Sequence, residues 1–95
     1  MTKADIVGRI SEKTGIERQD VQATVEAFME SVRESLESGS NVYLRGFGSF
    51  IIKRRARKTG RDILKNKTIE IPAHNIPSFK PAKSFMDNVK SNVKA

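Results

Sequence analysis

The chain reads as an α+β domain: two N-terminal helices, an antiparallel β-hairpin that carries a long projecting arm, and a short C-terminal helix. Three observations predict this. Apolar residues recur at three- and four-residue spacing up to about residue 38. The period changes to two from Asn41. Between two strand-like apolar runs lies 53–67, KRRARKTGRDILKNK, which holds eight of the eighteen Lys and Arg residues and one of the eleven acids. Its net charge of +7 is the net charge of the whole protein, and the other residues balance. Neither face of such a segment is apolar enough to lie on a core. Lying mid-chain between strands, it is read as a two-stranded ribbon that meets a polyanion.

The first helix starts after Thr2, whose side chain caps it with Asp5 in the capping-box position. Ile6, Ile10 and Val7 supply its apolar stripe, Gly8 suggests close packing against a neighbour, and Gly15 ends it. A longer helix runs from about Arg18 to Ser38, with Val21, Val25, Phe28, Met29, Val32 and Leu36 on one side, and Gly39 stops it. That stripe is too long for one short helix to cover, so part of it faces a second copy of the chain.

Val42 and Leu44 then alternate with Tyr43 and Arg45, Gly46-Phe47-Gly48 reverses the chain, and Ser49-Phe50-Ile51-Ile52 runs into the arm. The return strand is Thr68-Ile69-Glu70-Ile71, after which Pro72 and Pro77 confine pairing to an edge or break it. Pro81 suits the first turn of a third helix, Ala82 to Val93, with a stripe of Phe85, Met86 and Val89.

At 95 residues, with the arm unavailable to a core, the body is at the low end of what stabilises itself alone, which favours an oligomer. There is no Cys, hence no disulfide, thiol nucleophile or thiolate metal site. No apolar run reaches the roughly 18 residues of a bilayer span and the N-terminus lacks the apolar centre of a secretory signal, so a soluble cytoplasmic chain is expected. A pI near 10.1 makes nucleic acid the leading partner over membrane, because the arm has no apolar helical face to accompany its cations.

Catalysis has little support. His74 is the single histidine, and Glu26, Glu30, Glu34 and Glu37 read as the solvated face of the second helix. No metal ligand set, cofactor site or small-molecule substrate site is expected. Gly46-x-Gly48 lies between two strands, without the further glycine and lysine of a nucleotide loop. Phosphate contact is the better use of the Arg45, Gly46, Gly48 and Ser49 turn, since glycines admit close backbone approach and Ser49 adds a hydroxyl. Lys3, Lys80 and Lys83 lie near helix N-termini and suit the same partner.

Arg45-Gly46-Phe47-Gly48-Ser49-Phe50, Thr59-Gly60-Arg61, Ile71-Pro72-Ala73 and Ile76-Pro77-Ser78-Phe79-Lys80-Pro81-Ala82-Lys83, with Thr2-Lys3-Ala4-Asp5 at the start, resemble in order and spacing the HU/integration host factor family of bacterial architectural DNA-binding proteins. The likeness covers nearly the whole chain. It implies an intertwined dimer of two-helix halves whose β-saddle sends two ribbon arms into the DNA minor groove, the mode for which this family is known. The implied layout is one domain over 1–95: a helical dimerisation region over 1–40, a saddle over 41–81 with arm 53–67, and a closing helix over 82–95. By resemblance Lys53, Arg55, Lys58 and Arg61 are arm cations, Lys3, Arg18 and Lys83 flank contacts, and Phe47, Phe50 and Phe79 the aromatic core. Arg54, Arg57, Lys65 and Lys67 are added on charge alone.

The arm tip departs from the family pattern. Where the family usually has Arg-Asn-Pro, with the proline wedged between base pairs, this chain has Arg61-Asp62-Ile63. Ile63 is the candidate wedge, with Leu64 competing, and Asn66 is the residue best suited to a positive φ at the tip. The expected function is a homodimeric, nucleoid-associated protein that binds duplex DNA through its backbone, bends and compacts it, and performs no reaction. A site-selective bending factor of the integration host factor type, as a heterodimer, is the alternative within the family. A protein-interaction module using the acidic second helix is the rival from another class, and RNA binding is disfavoured because the arm lacks stacking aromatics.

Overall fold

The computed structural model describes residues 1–62 and 67–94. It forms two compact units, one over Met1–Ser35 and one that begins at Leu36. In the first, helix α1 spans Lys3–Thr14 and helix α2 Arg18–Glu37, the last turn of α2 passing into the second unit. The capping box forms as the sequence predicts: Asp5 N–H donates to Thr2 Oγ1 at 3.3 Å and Thr2 N–H donates to Asp5 Oδ2 at 2.9 Å. The bond from Thr2 N–H, and after it the bond from the Thr2 hydroxyl, hold the Asp5 carboxyl below the usual range, because both donate to its charged form. Gly15 closes α1 in the left-handed region at φ 75°, its N–H bonding Ser11 O.

Val7 and Val21 are the buried apolar residues among those described, one from each helix. Val7 thus forms the centre of the α1 stripe, whereas Ile6 is an exposed flank. Gly8 has the close neighbour its position suggested: a Cβ there would lie 2.9 Å from Arg18 Nη1. On α2, Val25, Val32 and Leu36 are half-buried, but Phe28 and Met29 are each 46% exposed within one chain.

In the second unit, strands β1 (Val42–Leu44), β2 (Gly48–Arg55) and β5 (His74–Pro81) form an antiparallel sheet in the order β1-β2-β5. Strands β3 (Lys58–Asp62) and β4 (Lys67–Ile71) form a second, two-stranded sheet, so the ribbon is interrupted at Ala56-Arg57 and at Pro72-Ala73. Proline supplies no N–H to a ladder, which accounts for the break at Pro72. Pro77 does not break its strand; it pairs with Ile52 within β5, an edge strand, where a missing donor is tolerated.

The β1–β2 reversal is a tight turn in which Phe47 N–H donates to Leu44 O at 3.0 Å and Gly46 takes φ 80°, a conformation glycine adopts without steric cost. Phe47, Phe50, Phe79 and Phe85 make an aromatic cluster, with ring centroids 5.0 Å apart for Phe50 and Phe79 and 5.4 Å for Phe47 and Phe85. Helix α3 covers Lys83–Asn92. Pro81 is the last residue of β5, paired with Gly48, and lies outside the helix. The reason is the next residue: Ala82 N–H donates to Phe47 O at 2.9 Å, which holds the backbone extended at ψ 153° and delays the helix to Lys83.

Candidate nucleic-acid interface

The interface follows from strand register. Side chains alternate between faces along a strand, and directly opposed residues share a face. Tyr43 opposes Ser49, and Ser49 opposes Lys80, so these three form one row across β1, β2 and β5. Two residues further along, Ile51 opposes Ser78, then Lys53 opposes Ile76, and Arg55 opposes His74, all on that same face. The other face carries Phe50, Ile52 and Phe79. One side of the sheet therefore supplies the aromatic cluster, and the other presents hydroxyls and cations.

At the turn end of this unit Arg45, Gly46, Gly48, Ser49, Lys80 and Lys83 line one open concavity of about 470 Å³. All six are residues the sequence assigns to phosphate contact, and the fold gathers them from a turn, two strands and a helix start. Gly48 is buried where β2 meets β5: a Cβ there would lie 2.6 Å from Lys80 O and 2.6 Å from the Phe79 ring. Helix α3 begins at the rim with no side-chain cap, because Ala82 at that position has no acceptor. Its first N–H groups and the positive end of its dipole thus add to the charge of Lys80 and Lys83.

Sequence reasoning missed Tyr43 and Ser78 on this face. Tyr43 is 72% exposed, and its hydroxyl accepts from Asn41 Nδ2 at 3.2 Å, which leaves its O–H to donate elsewhere. The signal that finds both residues is period-two alternation counted from Ser49 and Lys80, and it needs the register.

Along the arm, Lys53, Arg54, Arg55, Arg57 and Lys58 are all exposed. They are not equivalent. Lys53 and Arg55 share the face of Ser49 and Lys80, whereas Arg54 lies on the opposite face and Arg57 at the interruption forms an ion pair with Glu70 of β4. Arg61 and Lys67 take backbone positions in β3 and β4, opposite Thr68 and Asp62 respectively. Ile63, the candidate wedge, and Lys65 lie outside the described residues, as do Leu64 and Asn66.

The two flank residues of the helical unit have partners within the chain. Lys3 Nζ donates to Glu26 Oε1 at 2.8 Å, and Gln22 Nε2 approaches the same oxygen at 3.3 Å. These contacts, Lys3 first, hold the Glu26 carboxyl below its ordinary range. Arg18 Nη2 donates to Ala4 O at 3.2 Å while its guanidinium lies against Gly8. Both cations are surface groups whose present partners must compete with any phosphate.

Known proteins resemble the chain over most of its length. The bacterial DNA-binding protein family matches residues 1–90. DNA-binding protein HU of Thermus thermophilus is 42% identical over 90 residues, covering 95% of this chain and 93% of its own. That of Geobacillus stearothermophilus is 37% identical over 90 residues, covering 95% and 100%. Among solved structures, the Anabaena HU–DNA cocrystal structure superposes with a TM-score of 0.90 at 34% identity, over 95% of this chain and 98% of that one. An HU mutant from Thermotoga maritima superposes with a TM-score of 0.72 at 27% identity, over 95% and 100%. The family match over residues 1–90, with relatives up to 42% identical and a solved fold that superposes over 95% of the chain, places the chain in the bacterial DNA-binding protein family, as an HU-like α+β protein.

Proposed function

We propose that this chain is an architectural DNA-binding protein: a homodimer that lays the phosphate backbone of duplex DNA along its cationic sheet face, closes its arms on the minor groove, and bends and compacts the duplex with little base readout. The observation that carries this is the single face running from Lys80 and Ser49 through Lys53 and Arg55 towards the arm. Hydroxyls, cations and glycine backbone bind phosphate without distinguishing bases. The relatives support the partner, since they are named as DNA-binding proteins and one was crystallised with DNA.

The second copy has surfaces to cover. In the helical unit these are Phe28 and Met29; in the sheet unit they include an apolar groove of about 370 Å³ lined by Phe79, Phe85, Met86 and Val89. The functional unit is the whole chain, 1–95, with 1–40 as the dimerisation region, 41–81 as saddle bearing the arm 53–67, and 82–95 as closing helix. Lys3, Arg18 and Lys83 act as flank contacts, Arg45, Gly46, Gly48, Ser49 and Lys80 as saddle contacts, and Lys53, Arg54, Arg55, Arg57, Lys58, Arg61, Lys65 and Lys67 as arm contacts, with Ile63 the wedge. A protein of this kind resides on the nucleoid. Selection of a particular site is not favoured: in the Phe79-Lys80-Pro81 stretch, Phe79 joins the aromatic cluster and Lys80 faces Ser49.

The test compares linear, nicked and four-way-junction DNA of one sequence, with energy transfer between the ends of a short duplex. A bending protein prefers DNA whose deformation cost is already met. Equal affinity for all three forms, with unchanged end-to-end transfer, would sink the proposal. Sedimentation tests the dimer, and a folded monomer at micromolar concentration contradicts it.

A further inference from the structure

We propose that His74 is a phosphate contact that takes up a proton as DNA binds, a proposal that rests on the DNA-binding reading above. His74 begins β5 where the saddle gives way to the arm, directly opposite Arg55 and on the face of Ser49, Lys53 and Lys80. Its side chain is exposed. The ring is oriented by its own chain: Nδ1 lies 3.0 Å from Pro72 O. A carbonyl oxygen only accepts, so Nδ1 carries the hydrogen and donates it. In the neutral ring Nε2 is then a lone pair, and it is the nitrogen left for a ligand.

That arrangement has a sign. A phosphate oxygen also only accepts, so phosphate against neutral Nε2 sets acceptor against acceptor. Protonation of Nε2 turns the same geometry into a charge-assisted hydrogen bond while the Nδ1 bond to Pro72 stays in place. Arg55 faces the ring from β2, Lys53 lies one residue pair along on the same face, and Arg57 stands beyond the interruption with Glu70 already paired to it. β1 contributes no charge at this level, since its pairing with β2 extends only to Phe50. A phosphate between Arg55 and His74 attracts both, and a nearby opposite charge favours the protonated imidazole.

His74 is the chain's one histidine, so comparison with a His74 variant separates its proton from that of the α-amino group, which titrates in the same range. The experiment measures the affinity of the full-length protein for a short random-sequence duplex at about pH 6 and about pH 8, where imidazole changes charge, at fixed salt. Proton uptake is measured in parallel by calorimetry in buffers of different ionisation enthalpy. Wild type is expected to lose about tenfold more affinity over this range than His74→Gln, which keeps a donor but takes no proton. His74→Lys, permanently charged, is expected to bind tightly at both values with little proton uptake. If His74→Gln keeps the pH slope and proton uptake of wild type, the His74 contact is overturned while DNA binding stands. If wild type neither binds nor bends the duplex at either value, the architectural reading itself fails and this contact with it.

Discussion

Gly48 and Lys80 approach so closely that a Cβ on Gly48 would sit 2.6 Å from the Lys80 carbonyl oxygen. That contact lies beside the pairing that places Ser49 opposite Lys80, so packing within the sheet and the proposed phosphate face depend on the same absence of a side chain. Gly48→Ala is expected to destabilise the protein by about 1–3 kcal/mol, the usual cost of overpacking, because the nearest atoms are backbone and a clustered aromatic ring. Thermal melting of the variant checks this, and an unchanged melting temperature would show that β5 shifts freely.

The proposed arm contacts imply a steep salt dependence. A dimer offers sixteen arm cations, and if about half meet phosphates the slope of log affinity against log salt is roughly −7. Arg55→Ala is expected to flatten the slope by about one unit per protomer and to weaken all sequences alike. Arg57→Ala has the smaller effect, since Arg57 is already paired with Glu70. Glu70→Gln, which releases Arg57, steepens the slope. A loss confined to one sequence would mark base readout instead.

Lys3 must leave Glu26 to reach a phosphate. Glu26→Gln is therefore expected to tighten DNA binding and steepen the salt slope by about one unit per protomer, a gain that Lys3→Ala in the same background removes. The ion pair also links stability to pH. Because Lys3 and then Gln22 depress the Glu26 carboxyl, its contribution is present above the ordinary carboxylate range and lost as pH falls through the depressed value. Acid titration of the melting temperature should show a smaller drop in Glu26→Gln than in wild type.

Ile63 follows Arg61-Asp62 where the family's proline follows Arg-Asn. An apolar wedge unstacks a base step at a cost of a few kcal/mol, which the wrapping contacts offset. Ile63→Ala is expected to lower end-to-end energy transfer on a short duplex while most salt-dependent affinity remains. Unchanged bending here with a loss in Leu64→Ala moves the wedge by one residue, and unchanged bending in both removes it.

Local chemistry was legible in the chain itself. Thr2 and Asp5 lie three residues apart, Gly46 sits where a turn needs positive φ, and 53–67 concentrates a charge that no core accepts, so neighbours in sequence suffice to settle each. The tertiary structure decided whatever depends on residues distant along the chain. Lys3 meets Glu26 only because α1 and α2 pack around Val7 and Val21. Pro81 ends a strand instead of opening a helix because Phe47, thirty-four positions earlier, holds Ala82 extended. Tyr43, Ser78 and His74 join the cationic face because the register of β1 and β5 on β2 puts them there. A shift of one residue would turn each of them to the aromatic side, and that choice is made by packing between strands, which no single stretch of sequence contains.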